Sequence, residues 1–173
     1  MSASRKLLAV FYADVAGYSR LTGLDEEGTH QRVMAILDHA TNAIGAAGGT
    51  VLRYAGDAIL ASFPSVVKAV ETSVTIQNDL AKINQSQDGQ DPVHIRIGIN
   101  LGDVLEDRGE VFGEGVNLAA RLESAAQAGG ICISSLVHGQ VNGKVDVDFC
   151  TAGSQRFELS QESFFIGMLC RPG

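Results

Sequence analysis

Apolar residues recur along the chain in two rhythms. The first run, 7-LLAVFYADVAGYSRL-21, is almost unbroken from Leu7 to Ala13 and stops on Asp14. A short apolar run bounded by polar and glycine positions predicts a buried strand. In 25-DEEGTHQRVMAILDHATNAIGAAGG-49, Val33, Ile36, Leu37, Ala40 and Ile44 recur at helical spacing. Asp25, Glu26 and Glu27 crowd the start of this predicted helix, where acids suit its dipole, and Gly48-Gly49 supply the stop. The segment 50-TVLRYAGDAILASF-63 predicts a hairpin with a tight turn at Ala55-Gly56-Asp57. A second helix is expected from about Ser65 to Asn84, with Val66, Val67, Val70, Val74 and Leu80 inward.

The polar stretch 85-QSQDGQDP-92 reads as a loop closed by proline. In 93-VHIRIGINLGDVLE-106, strict alternation places Val93, Ile95, Ile97, Ile99 and Leu101 on one face of a half-buried strand. A turn at 107-DRGE-110, a short strand around Val111-Phe112, a third helix over 116-VNLAARLESAAQ-127 and a strand at Ile131–Ile133 follow. The order β-α-β-β-α-β is that of an α+β, ferredoxin-like (split βαβ) sandwich. It predicts an antiparallel-dominated sheet with helices on one face. With no repeat, low-complexity tract or linker, a single domain over 1–173 is expected.

Composition narrows the function classes. The 173 residues carry a formal charge of −7, so a generic nucleic-acid or anionic-membrane surface, which needs a basic field, is not expected. A small anionic ligand remains open if cations are placed locally or metal ions are recruited. Cys132, Cys150 and Cys170 are scattered, odd in number and without metal-ligand spacing. Reduced thiols in a cytoplasmic domain are the natural reading. No apolar run is long enough to span a bilayer.

Two constellations could carry chemistry. Asp14 ends the first strand and Asp57 sits at the hairpin tip; in a split βαβ sheet these are expected to be neighbours. Two close carboxylates repel unless a cation lies between them, and Mg²⁺ is often held by one or two carboxylates plus substrate phosphates. The alternative is that each acid simply marks a turn. Asn117 and Arg121 are four apart and share one helix face, where they could jointly donate to a phosphate oxygen. The alternative there is a solvated face on which Arg121 pairs with Glu123 or another acid.

The four segments 11-FYADVAGYS-19, 53-RYAGDAILASF-63, 95-IRIGINLGDV-104 and 113-GEGVNLAARLE-123 together resemble the catalytic domain of class III adenylate/guanylate cyclases, in order and in spacing. The resemblance covers about Leu7 to Ser134, and 116-VNLAARLESAAQAGGICIS-134 is similar to bacterial members. It implies that Asp14 and Asp57 bind two Mg²⁺ or Mn²⁺ ions with the carbonyl of Val15. It implies that Asn117 and Arg121 orient the ribose and steady the transition state from the opposite subunit of a head-to-tail homodimer. The segment Leu105 to Phe112 matches the family's dimerisation arm.

Two positions implied to read the base are Arg53 and Glu110. Adenylate-forming members usually carry lysine and then aspartate or threonine there, so the pair is nearer the adenine type than the guanine type. ATP is therefore the expected substrate, with GTP the alternative. Near the C-terminus, Glu158 falls where the family has a phosphate-binding lysine, with Arg156 a possible substitute. A carboxylate there would repel a triphosphate, and a catalytically weak regulatory or dimerisation module is the corresponding alternative. A diguanylate cyclase is disfavoured, because that family's Gly-Gly-Asp/Glu-Glu-Phe hairpin is absent.

Overall fold

The computed structural model describes residues 3–147, 149–150, 164–165 and 168–169. Its centre is a mixed sheet built on two long neighbours, β1 (Ser4–Val15) and β4 (Ile95–Asp107), which run antiparallel from Ser4↔Glu106 to Val15↔Ile95. On the far side of β1 lies the hairpin β2 (Thr50–Ala55) and β3 (Ala58–Phe63). On the far side of β4 lies β6 (Ile131–Ser134), joined in parallel, and then β8 (Phe164–Phe165). β5 (Glu110–Phe112) folds back on the end of β4. A two-stranded sheet joins β7 (Phe149–Cys150) to β9 (Met168–Leu169). The expected α+β sandwich is present; its sheet is mixed because β4 and β6 run parallel.

Alternation along β1 sorts the core into two layers. Ala9, Phe11, Ala13 and Val15 pack with residues of α2 (Glu26–Ala46), α3 (Val66–Ser86) and α5 (Ser135–Val141). Val10 points the other way and joins Leu60, Val104, Val116 and Ala119. The last two belong to α4 (Glu114–Ala125), so helices cover both faces rather than the single face expected from the sequence. The reason is local. Val116, Ala119 and Leu122 form an apolar stripe short enough to leave polar residues on α4 free for solvent, and only the second sheet face remains open to it.

Helix termini follow the residues that mark them. The Asp25 side chain accepts from the Gly28 amide at 3.1 Å to start α2, and the Ser65 hydroxyl accepts from the Lys68 amide at 3.2 Å to start α3. The inward face of α3 is turned relative to the expected one. Ala69, Val70, Ile76 and Leu80 are buried, whereas Val66, Val67 and Val74 only flank the core. The buried Gln77 on that face donates to the carbonyls of Ile95 and Gly130 at 3.1 and 2.9 Å, which offsets its desolvation. Two seven-residue helices were not expected from the pattern: α1 (Tyr18–Leu24), with Leu21 its one buried residue, and α5, started by Ser134.

Gly98 sets the distance between α4 and the sheet. A Cβ there would come within 2.3 Å of the Glu123 nitrogen and 2.4 Å of the Ala119 carbonyl oxygen, both main-chain atoms. Gly98→Ala is therefore expected to push α4 off the sheet at a cost of about 1–3 kcal/mol, typical of overpacking. Urea unfolding checks the loss; an unchanged midpoint would contradict the close approach.

Candidate active site

The two acids named from the sequence meet at one end of the sheet. Register pairs Ala13 of β1 with Ile59 of β3, which carries the tip of the β2–β3 hairpin beside the end of β1. Asp57 at that tip accepts a hydrogen bond from the Val15 amide through Oδ2 at 3.1 Å. The Ala16 amide donates to the His94 carbonyl at 2.8 Å, and Gly17, with φ 67°, turns the chain out of the strand into α1. Asp14, Val15 and Asp57 are thus brought together by backbone geometry.

Among the described residues no group of three or more His, Cys, Asp or Glu side chains could hold a metal ion unaided. The donor set available is two carboxylates and a backbone carbonyl. Such a set is too small to cage an ion but fits one that completes its shell with phosphate oxygens and water, as Mg²⁺ commonly does.

Two residues absent from the sequence-based site adjoin it. Arg96, the cross-strand partner of Asp14, donates from Nε to Asp14 Oδ1 at 3.3 Å and from Nη2 to Oδ2 at 3.4 Å. Its Nε also lies 3.4 Å from Oε1 of Glu123, whose side chain is 3% exposed. No hydrogen bond forms there, since Glu123 Oε1 has no hydrogen-bond partner. The expected alternative of a solvated Arg121–Glu123 pair is not what forms: Glu123 points into the protein toward Arg96 and Asp14. Position 96 could be seen as a polar site in an alternating strand, but its pairing with Asp14 depends on register, which no local pattern fixes.

Burial pushes the Glu123 carboxyl up to about 9, helped by the hydrogen bonding and charge of Asp14 and opposed by Arg96. A carboxyl raised from 4.5 in this way binds more protons folded than unfolded between those values. Its contribution to stability is therefore complete below pH 4.5 and lost as pH rises toward 9. In chelator-containing buffer, Glu123→Gln is expected to flatten the fall in urea midpoint between pH 6 and pH 9; an unchanged slope would assign that fall to other groups.

The second constellation lines a cavity that the two acids do not. Asn117 and Arg121 line a cavity of about 870 Å³ with Arg5, Asp103, Glu114 and Leu136, whereas Asp14 and Asp57 are not among its lining residues. The cavity follows β4 beyond Ile99, where β6 no longer covers the strand. Asn100 Nδ2 donates to the Gly115 carbonyl at 3.2 Å and ties the start of α4 to this strand.

Arg53 and Glu110 are both exposed, and among the described residues no hydrogen bond or ion pair joins them. Arg53 pairs with Leu60 in the sheet, and Glu110 opens β5 opposite Asp107. The β4–β5 turn takes positive φ at Arg108 (54°) and Gly109 (78°), as a two-residue hairpin requires. On this hairpin the cross-strand pair Leu105 and Phe112 is exposed, as is Leu7 on β1. Arg156 and Glu158 lie outside the described residues. Cys132 is buried, which pushes its thiol up to about 12 and leaves it unreactive at neutral pH.

The family model "Adenylate and Guanylate cyclase catalytic domain" matches residues 4–165. A putative adenylate cyclase 3 of Rhizobium meliloti is 39% identical over 88% of the chain. An adenylate cyclase of Streptomyces coelicolor is 32% identical over 74% of it. The chain spans only 26% and 32% of those two relatives' lengths. Among solved structures, an adenylate/guanylate cyclase/hydrolase from Silicibacter pomeroyi superposes with a TM-score of 0.87 at 33% identity, over 94% of this chain and 95% of that one. The adenylyl cyclase CyaB from P. aeruginosa superposes with 0.85 at 25%, over 100% and 98%. The guanylyl cyclase Cya2 superposes with 0.82 at 26%, over 99% and 97%.

Proposed function

The chain belongs to the adenylate and guanylate cyclase catalytic domain family, and on that premise we propose that it converts ATP to 3′,5′-cyclic AMP and pyrophosphate at sites completed by a head-to-tail homodimer. The observation that most supports this reading is the Val15–Asp57 hydrogen bond, which seats the hairpin tip on the end of β1 beside Asp14. Strand register already brings the tip there, and this bond fixes the Asp57 carboxyl itself. A second support is the separation of Asn117 and Arg121, whose cavity is lined by neither acid. One copy alone does not gather the whole set, whereas a second copy turned head to tail would. Exposed Leu7, Leu105 and Phe112 offer apolar surface for that pairing.

In this reading Asp14, Asp57 and the Val15 carbonyl hold two Mg²⁺ or Mn²⁺ ions. When bound, such ions make the 3′-hydroxyl more acidic and offset phosphate charge. The chain's own groups do the rest. Arg53 donates to the adenine N1 acceptor and Glu110 accepts from its 6-amino group. Asn117 orients the ribose so that the 3′-oxygen faces the α-phosphorus. As the 3′-hydroxyl gives its proton to water and its oxygen bonds to that phosphorus, the bond to the bridging oxygen breaks and pyrophosphate departs with the electron pair. Arg121 donates to the α-phosphoryl oxygens while charge shifts across them, a preorganised electrostatic contact.

Among the described residues no helix is long and apolar enough to cross a membrane, and the chain is read as cytoplasmic. Purified protein with Mn²⁺ and either ATP or GTP tests the proposal. Cyclic AMP and pyrophosphate in equal amounts are expected from ATP, with cyclic GMP formed at least about tenfold more slowly, as mismatched base contacts dictate. The reverse preference would make it a guanylate cyclase, and no product from either would favour the regulatory module.

A further inference from the structure

Arg53 owes its face of the sheet to one extra residue. Along β2, Val51 pairs with Ala61 and Arg53 with Leu60, so Leu52 is the surplus residue of a β-bulge. Unbroken register would set Arg53 opposite Ile59 and Tyr54 opposite Ala58. Directly opposed residues share a face. Ile59 belongs to the core layer of α2 and α3, and Leu60 to the layer of Val10, Val104 and Val111. The bulge thus turns Arg53 to the side that β5 joins through Val111, and Tyr54 to the side of α2. There the Tyr54 hydroxyl lies 2.8 Å from Oγ1 of Thr41. The Thr41 hydroxyl donates its one proton to the Leu37 carbonyl at 2.7 Å, so Tyr54 is the donor between them. β2 is an edge strand, joined to the sheet through β3 alone, and Arg53, Tyr54 and Ala55 are all exposed. The Tyr54–Thr41 contact ties this free edge to a helix.

We propose that Tyr54, bonded to Thr41, is a positioning residue for base recognition: it pins the bulge that holds Arg53 on the side of β5. The inference rests on the reading of Arg53 and Glu110 as the pair that meets the base, and adds to it a residue that touches no nucleotide. Its consequence is discrimination. Adenine N1 accepts a hydrogen bond, whereas guanine N1 carries a proton. A guanidinium fixed at that point attracts one base and opposes the other. On a loosened edge strand it would bind ATP less well and exclude GTP less well.

Binding of 3′-deoxy-ATP and 3′-deoxy-GTP to the full chain in saturating Mn²⁺, followed by isothermal titration calorimetry, reads this role without turnover. For Tyr54→Phe, which keeps the ring and loses the donor, the ratio of the two dissociation constants is expected to move about 3–10-fold toward unity, the range of one hydrogen bond. Thr41→Val should match it, and decides the matter should the Phe variant not fold. Thr41→Ser, which retains the hydroxyl, should behave as wild type. The double variant Tyr54→Phe/Thr41→Val should be no worse than either single one, as two halves of one bond require. In turnover assays KM for ATP should rise while kcat stays within about twofold. A lower melting temperature with an unchanged ratio would reduce the bond to a structural role. An equal loss of affinity for both analogues would place its effect away from the base; either result overturns the proposal. Arg53→Ala in the same titration is the independent control. If it leaves the ratio unchanged, the base-reading assignment itself fails; if it removes the preference while Tyr54→Phe does not, only the positioning role falls.

Discussion

Asp57→Ala is expected to lower cyclic nucleotide formation by at least about 10³-fold, equivalent to roughly 4 kcal/mol of activation free energy. The same change removes the acceptor of the Val15 amide. Losing that partly buried hydrogen bond should cost about 1 kcal/mol, or a fall of about 2–4 °C in melting temperature for a chain of this size. The two effects separate with Asp57→Asn. The amide oxygen still accepts from Val15, so the hairpin tip stays seated, but the negative charge is gone. The asparagine variant should therefore melt like wild type and still lose about 10²-fold or more in rate, because a neutral oxygen is a poorer partner for a hard divalent cation. Assay of pyrophosphate release beside a thermal melt measures both. An asparagine variant with near wild-type rate would show that Asp57 matters only as a turn.

Mixing two inactive variants should restore activity. In a head-to-tail homodimer each site takes its acids from one copy and Asn117 and Arg121 from the other. Asp57→Ala alone and Arg121→Ala alone each spoil both sites of their own homodimers. In a mixed dimer one site carries both lesions and the other carries none. Half the dimers in an equimolar, freely exchanging mixture are mixed, and half their sites are intact, so about a quarter of wild-type activity is expected. Co-expression with two affinity tags, followed by assay of the doubly purified protein, raises that to about half. Failure to complement, with mixed dimers demonstrably present, would place the acids and the guanidinium in one copy's site. That neither acid lines the cavity of Asn117 and Arg121 argues for the shared arrangement.

Legibility in the sequence tracked locality. The β-α-β-β-α-β order, the inward face of α2 and the apolar face of β4 follow periodicity that each segment carries within itself. The helices α1 and α5 escaped because seven residues with one or two buried positions leave too little pattern to read. The placement of α4 on the second sheet face was also hidden. Its apolar stripe says that it packs, not on which side.

At the site, Asp14, Asp57, Asn117 and Arg121 could be singled out by motif and by helical spacing. Arg96 and Glu123 could not. Their importance comes from strand register and from a helix crossing at a glycine, both properties of the assembled chain. Glu123 in particular looks like an exposed helix acid next to Arg121, and only burial shows it facing the other way.

Where α4 crosses β4, peptide unit rests on peptide unit with no side chain between. The spacing from β4 to the helix bearing Asn117 and Arg121 is thus set by main-chain van der Waals contact. Interdigitated methyl groups, which drift as a lineage exchanges valine for isoleucine or leucine, do not enter it. Hydrophobic turnover elsewhere in the interior can proceed without shifting α4 on its strand, so long as position 98 stays bare.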